Sequence, residues 1–306
     1  MWTDTIVESV DYDPDTQRAT SVRLHNTSTG ERSTQSAKII FLCTGSVNTV
    51  SLLLRSLSDA TPNGLGNSSG LLGKYFMDHA FGAFTISTIP GIDKQMYLGR
   101  KPNGVCIPRF VNLDGQDGDF LRGYSFQGYC SRSGWNRGSA MPGIGVEFKN
   151  SLRQPGGWTI GLGASVECLP RRENAITIDF NSLDTYGLPL SHIDVRWGDN
   201  EQKAAAHAVN EAVDVLTLLG GHVVVRGDQL APAGTAIHEM GGACMGADPR
   251  DSVTNAYNQL HDSPNVFVTD GAFMSSTGDR NPSLTYMAFT ARAAAFAAEE
   301  VNSGRL

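Results

Sequence analysis

Apolar and polar positions along the chain predict a sequence of elements before any residue chemistry is considered. Ile6 to Tyr12 and Ala19 to Leu24 are strand-like, and the turn-rich Asp13-Pro14-Asp15-Thr16 separates them. Past Thr29-Gly30-Glu31, the run Lys38 to Cys43 is apolar after its first residue, the pattern of a strand buried on both faces, with Cys43 as a small buried residue at its end. Thr44-Gly45-Ser46 follows, and Val50, Leu53, Leu54 and Leu57 then recur at helical spacing. Strand, glycine turn and helix in that order is the grammar of an α/β fold. The Gly/Asn/Ser-rich stretch from Pro62 to Gly73 predicts a loop.

From Phe81 to about Asp179 short β-prone segments alternate with Gly and Pro: Ala83 to Ile89, Gly104 to Val111, Gly123 to Cys130, Gly143 to Phe148, Trp158 to Cys168 and Ala175 to Phe180. That texture predicts a mostly antiparallel sheet in a second domain or large insertion. Glu201 to Leu219 is a long amphipathic helix, with Ala205, Ala208, Ala212, Leu216 and Leu219 on one face and Gly220 as a stop signal. A strand from His222 to Arg226 follows it. The last segment returns to α/β grammar: Asn265 to Thr269 is a strand ending in Asp270-Gly271, and Asn281-Pro282 opens a helix from about Ser283 to Val301.

Composition narrows the reading. The 306 residues, 40% apolar, can bury a large core or two ordinary ones. A formal net charge of -7 without a stripe of Lys and Arg argues against nucleic acid as a partner, and no apolar run is long enough to span a bilayer. Five cysteines (Cys43, Cys106, Cys130, Cys168 and Cys244) at wide, irregular spacing form neither a disulfide framework nor a zinc site.

Three short motifs mislead. Gly66-Asn67-Ser68-Ser69-Gly70 has the spacing of a serine-hydrolase nucleophile elbow, but Thr61-Pro62-Asn63-Gly64 stands where a strand is needed. Gly64, Gly66 and Gly70 approach a dinucleotide fingerprint, but the third glycine falls one residue late and the strand is absent. His238-Glu239 begins like a zinc-protease motif, but Gly242 occupies the second histidine position, so no metal site follows.

Other segments agree with one another. His238 to Gly246 followed by Asp248-Pro249 resembles the catalytic-histidine segment of the glucose–methanol–choline (GMC) oxidoreductases. Asn265 to Gly271 followed by Asn281-Pro282-Ser283-Leu284-Thr285 is similar to that family's closing motif, and Lys38 to Leu54 to its central strand-and-helix signature. Leu71, Gly73, Met77-Asp78-His79 and Pro170, Glu173, Asn174 match further landmarks in the same order. The resemblance spans nearly the whole chain. It implies an α/β FAD-binding, Rossmann-like domain with an α+β substrate domain built on a mostly antiparallel sheet. Residues 1–79 and 232–306 would belong to the FAD domain, and 80–231 to the substrate domain.

The family opens with a strand–GxGxxG–helix unit that binds the ADP half of FAD. No such unit lies upstream of Ile6, where the chain starts in what resembles a later β-meander, with Ile6-Val7 where relatives pass the adenine. The chain is therefore expected to be a C-terminal part of a longer flavoprotein, incomplete in its FAD domain and inactive in isolation.

The resemblance also assigns residues. His238 is expected to be the general base, because an alcohol hydroxyl is too weakly acidic to lose its proton unaided at neutral pH. Asn281 is expected beside it, bonding the substrate oxygen, although an Asn at a helix start is also a plain N-cap. Asp270 and Gly271 would meet the FAD pyrophosphate and ribityl chain, Pro282 and Ser283 would lie against the isoalloxazine, and Gly45, Ser46 and Val7 would lie near the cofactor. His79 reads as structural, at the boundary between domains, and Cys244 stands where relatives often carry a basic residue.

The activity implied is hydride transfer from a CH–OH carbon of an alcohol or sugar to FAD. The ending from Gln259 to Ala294 most resembles bacterial sugar and glucoside dehydrogenases, some of which are exported and pass electrons to a small subunit and a cytochrome. A periplasmic location is thus suggested, with the cytoplasm as the alternative. Two rival readings remain: a serine hydrolase using Ser68 with His238, and a non-catalytic remnant serving only as a binding domain.

Overall fold

The computed structural model describes residues 1–92 and 104–306, which divide into two compact units. One comprises Met1–His79, Cys168–Arg196 and Ala236–Leu306; the other comprises Ala80–Glu167 and Trp197–Thr235.

In the first unit, strands Thr5–Asp13, Arg18–Asn26 and Arg32–Ser36 form an antiparallel meander. The turn between the first two is held by Asp13, whose carboxylate accepts from the Asp15 amide at 3.0 Å and the Thr16 hydroxyl at 2.8 Å. Strand Ser263–Val268 runs parallel to Ile40–Leu42, with Val266 opposite Ile40 and Val268 opposite Leu42. Parallel pairing requires a crossover, and helix Ser46–Arg55, entered through Gly45 at φ 85°, lies within it. Ile40, Leu42, Val50, Leu53, Val266 and Val268 pack into one core. Each such side chain contributes about 1.5–3 kcal/mol on leaving water. Asn265 ties the meander to this sheet: its amide donates to the carbonyls of Ala19 at 2.7 Å and Lys38 at 2.9 Å, and its oxygen accepts from the Ala19 amide at 2.9 Å.

Several local expectations change here. The strand expected from Lys38 to Cys43 is limited to Ile40–Leu42 and buries one face: Phe41 is 37% exposed although it stacks on buried Phe267. Cys43 is exposed rather than buried, with its sulfur 3.1 Å from the Thr269 hydroxyl. Leu57 is exposed, because the helix stops at Arg55. The segment 168–196, expected within the substrate domain, clusters with the first unit. Its hairpin of Ala175–Leu183 and Pro189–Asp194 sends Ile176 into the core beside Leu53, and its Ser191 hydroxyl lies 2.6 Å from that of Ser51.

The second unit is a five-stranded antiparallel sheet in the order His222–Gly227, Phe84–Ile89, Trp158–Val166, Tyr124–Arg132, Val105–Ile107. Helix Asp199–Leu218 covers it with Ala204, Ala205, Ala208, Val209, Ala212 and Leu216. The small alanines allow close approach of helix to sheet. Leu219, expected on that face, lies past the last turn and is 60% exposed. The segment Gly143 to Phe148, expected as a strand, is instead the start of helix Gly145–Arg153. Ile144, Val146 and Phe148 alternate, but the packing follows a spacing of four. Phe148 and Leu152 sit over Gly138, where a Cβ would meet Leu152 at 2.5 Å. Arg137 donates to the carbonyls of Ser151 at 2.9 Å and Gln154 at 2.8 Å, satisfying the helix end. No helix among the described residues is long and apolar enough to cross a membrane.

Candidate active site

The expected site residues, Val7 among them, all fall in the first unit. Met77 and Met240 exchange backbone hydrogen bonds of 2.7 and 2.8 Å, aligning the Met77-Asp78-His79 and His238-Glu239-Met240 segments. Asp78, wholly buried, accepts the backbone amides of both His79 and His238 on one carboxylate oxygen, at 2.8 and 3.0 Å. The two rings then meet edge-on, with their Nδ1 atoms 2.9 Å apart. His79 is 1% exposed and its Nε2 lies 2.7 Å from the carbonyl oxygen of Gly278. Burial holds the His79 imidazole below its ordinary pKa, against smaller opposing effects of the Gly278 carbonyl, Asp78 and Asp279.

His238 is half-buried, and its Nε2 lies 2.8 Å from the Asn281 amide nitrogen. Asn281 is exposed and sits just before helix Ser283–Asn302, whose N-cap is Pro282. The N-cap position itself is taken by Pro282, whose side chain makes no capping bond, and the Asn281 amide reaches His238. The uncapped first turn carries exposed Ser283, Leu284 and Thr285, and the next turn exposes Met287. A helix start of this kind offers free N–H groups and partial positive charge.

Asp270 turns inward. Its carboxylate accepts from the Gly45 amide at 3.0 Å, the Thr49 hydroxyl at 2.5 Å and the Ala272 amide at 2.9 Å. Burial still pushes its pKa up despite these bonds. Asp270 therefore shapes the Gly45 turn, and its oxygens are committed within the protein. Gly271 is a packing requirement: a Cβ there would lie 2.2 Å from the Glu239 carbonyl oxygen, 2.6 Å from the Tyr286 hydroxyl and 2.7 Å from the Ser46 hydroxyl. Both hydroxyls donate to that carbonyl, Ser46 at 2.9 Å and Tyr286 at 3.0 Å. Ser46 is thereby buried beneath the turn, whereas a Cβ on Gly45 would meet open space. Pro282 is buried, and Val7 is half-buried against the core.

An FAD group fits part of this surface. Gly45 leaves a gap at the end of the Ile40–Leu42 strand, where α/β folds hold nucleotides, and the uncapped helix start with Leu284 and Met287 offers both positive potential and apolar area. The committed oxygens of Asp270 do not fit a direct contact with a pyrophosphate, which also carries negative charge.

Cys244 is half-buried. Its sulfur lies 3.5 Å from the Met274 carbonyl oxygen, and burial pushes the thiol pKa up to about 11. The hydrolase pairing does not form. Ser68 donates its hydroxyl to Asp262 at 2.5 Å and its amide to the other oxygen of that carboxylate at 3.0 Å. His238 instead has His79 and Asn281 at its two ring nitrogens. Sequence reading missed the His79 contact, because the pair is 159 residues apart. Its only local signal was the Met77-Asp78-His79 landmark.

Comparison with known proteins agrees with the fold. Residues 170–290 match the GMC oxidoreductase family. The chain is 29% identical over 282 residues to 2-methyl-1,2-propanediol dehydrogenase of Mycolicibacterium austroafricanum, covering 90% of this chain and 50% of that protein. It is 28% identical over 268 residues to the fructose dehydrogenase large subunit of Gluconobacter japonicus, covering 84% and 46%. The chain thus spans about half the length of the curated relatives it matches. Among solved structures, a variant formate oxidase of Aspergillus oryzae RIB40 superposes with a TM-score of 0.66 at 13% identity, over 98% of this chain and 60% of that one.

Proposed function

We propose, from the match of residues 170–290 to the GMC oxidoreductase family, that the protein oxidises a CH–OH group of an alcohol or sugar in an FAD-dependent reaction. FAD, when bound, supplies the acceptor for the hydride leaving the substrate carbon. His238 takes the hydroxyl proton at Nε2, and the Asn281 amide orients the substrate oxygen beside it. The observation that carries the reading is the 2.8 Å contact between these two side chains at an uncapped helix start. A substrate hydroxyl that displaces the amide from Nε2 can donate to the base and accept from the same amide at once. The helix terminus adds positive potential to the surface where negative charge develops.

The relatives named as dehydrogenases of a diol and of fructose place small polyols and sugars first among donors to test. The name of the fructose dehydrogenase large subunit implies a smaller companion, and an electron-accepting small subunit with a cytochrome is the partner proposed here. The test is anaerobic mixing of the FAD-loaded protein with such donors while flavin absorbance is followed. Bleaching by at least one donor supports the reading. Bleaching at an unchanged rate in His238→Ala would remove His238 from the role of base.

A further inference from the structure

We propose that His79 is a positioning residue that fixes the ring tautomer of His238, so that Nε2 of His238 faces the substrate side without a proton. The Gly278 carbonyl oxygen only accepts, so the His79 Nε2 at 2.7 Å must carry the hydrogen. A neutral His79 then presents a lone pair at Nδ1. The 2.9 Å separation from His238 Nδ1 is a hydrogen bond only if His238 donates, so the His238 proton sits on Nδ1. A neutral His238 is left with its lone pair on Nε2, where the Asn281 amide donates at 2.8 Å. Each of these three contacts then pairs one donor with one acceptor. The His238 tautomer is set from the Gly278 end, whichever way the Asn281 amide is turned.

The alternative requires an imidazolium at His79, with hydrogens on both nitrogens. That ring is 1% exposed, and a buried cation without a bonded carboxylate is costly. The charged or titratable groups around it are Asp78, Asp279 and His238, and its two ring nitrogens face His238 Nδ1 and the Gly278 carbonyl oxygen. Backbone and side chain thus share the work: Asp78 fixes where both rings start, and His79 fixes which nitrogen of His238 is bare. When His238 takes a proton at Nε2, its Nδ1–H still donates to the His79 lone pair, which stabilises the imidazolium. This role for His79 rests on the reading of His238 as the base, but the tautomer itself can be observed without turnover.

The experiment is a long-range ¹H–¹⁵N correlation spectrum of the ¹⁵N-histidine-labelled protein at pH 8, with signals assigned by single-histidine variants. His238 is expected as the Nδ1–H form and His79 as the Nε2–H form. An Nε2–H form of His238 in the parent protein overturns the proposal without any variant. His79→Asn, whose side-chain oxygen can accept from His238 Nδ1–H, is expected to keep the parent pattern. His79→Leu removes the acceptor and is expected to shift His238 toward Nε2–H; an unchanged His238 pattern in a folded His79→Leu protein also overturns the proposal. In the FAD-loaded protein, His79→Leu should slow flavin reduction at saturating donor by between about 10-fold and 10⁴-fold, the upper figure being that of a base held in the wrong tautomer. KM should change little, and His79→Asn should recover most of the rate. If His79→Leu shifts the tautomer while His238→Ala bleaches normally, the positioning stands and the assignment of His238 as base falls.

Discussion

Replacing Asp270 by alanine should loosen the strand-to-helix turn at Gly45 without touching the His238 pair. The carboxylate holds three donors: the Gly45 amide, the Thr49 hydroxyl and the Ala272 amide. Their losses differ. Gly45 is exposed, so water can replace the acceptor, and Thr49 keeps a partner in the Thr44 hydroxyl at 2.7 Å. The Ala272 amide is wholly buried and would be stranded, which alone costs about 1–3 kcal/mol. Removing the carboxylate also relieves the burial that raises its pKa, an opposing gain. The net loss should be about 1–3 kcal/mol, equivalent to local opening more frequent by about 5- to 150-fold. Amide hydrogen exchange reads this directly in peptides covering 40–55 and 266–275. Asp270→Asn keeps one carbonyl oxygen and should lose about half as much, roughly 0.5–1.5 kcal/mol. Exchange within threefold of the parent at both Gly45 and Ala272 in Asp270→Ala would refute the assignment of this carboxylate as the tie between strand and helix.

Gly271→Ala should destabilise the first unit by about 1–3 kcal/mol, because the new Cβ displaces the Glu239 carbonyl that Ser46 and Tyr286 share; urea unfolding followed by exchange of the 236–246 segment checks it. His238→Ala should slow flavin reduction by about 10²–10⁴-fold and Asn281→Ala by less, and the double variant should lose less than the product of the two, read by anaerobic stopped flow. Stability should also depend on His79. Its folded pKa lies below the ordinary 6.5, so below that pH the unfolded chain takes up a proton that the folded chain resists. Stability is therefore retained above pH 6.5 and falls as pH drops below it, by at most about 1.4 kcal/mol per pH unit, and His79→Asn should remove that slope in urea titrations at stepped pH. Ser68→Ala should leave flavin reduction unchanged, since Ser68 is paired with Asp262 in a separate loop.

Local chemistry made much of this protein legible in its sequence. The parallel strand ending at Val268, the glycine after Asp270 and the helix opening after Asn281-Pro282 each depend on a handful of neighbouring residues. Periodicity therefore located them to within about two residues, consistent with the ordinary uncertainty of element ends. The antiparallel sheet of the second unit was legible for the same reason, through short β-prone runs broken by Gly and Pro.

What periodicity records is which positions are apolar, and tertiary packing alone decides what covers them. Ile144, Val146 and Phe148 alternate like a strand, yet Phe148 and Leu152 close over Gly138 and the segment coils into a helix with Ile144 and Val146 exposed. The hairpin 175–194 joins the first unit because Ile176 meets the core beside Leu53 and Ser191 meets Ser51, contacts more than a hundred residues apart. The same distinction applies at the site. His238 and Asn281 stood out as residues of one motif-bearing region, but the carboxylate of Asp270 could be assigned its three donors only in the folded chain. So too with His79: nothing local says which nitrogen of His238 holds a proton. That is decided by a carbonyl at Gly278 acting through a second ring, because hydrogen-bond polarity propagates only between groups that folding has brought into contact.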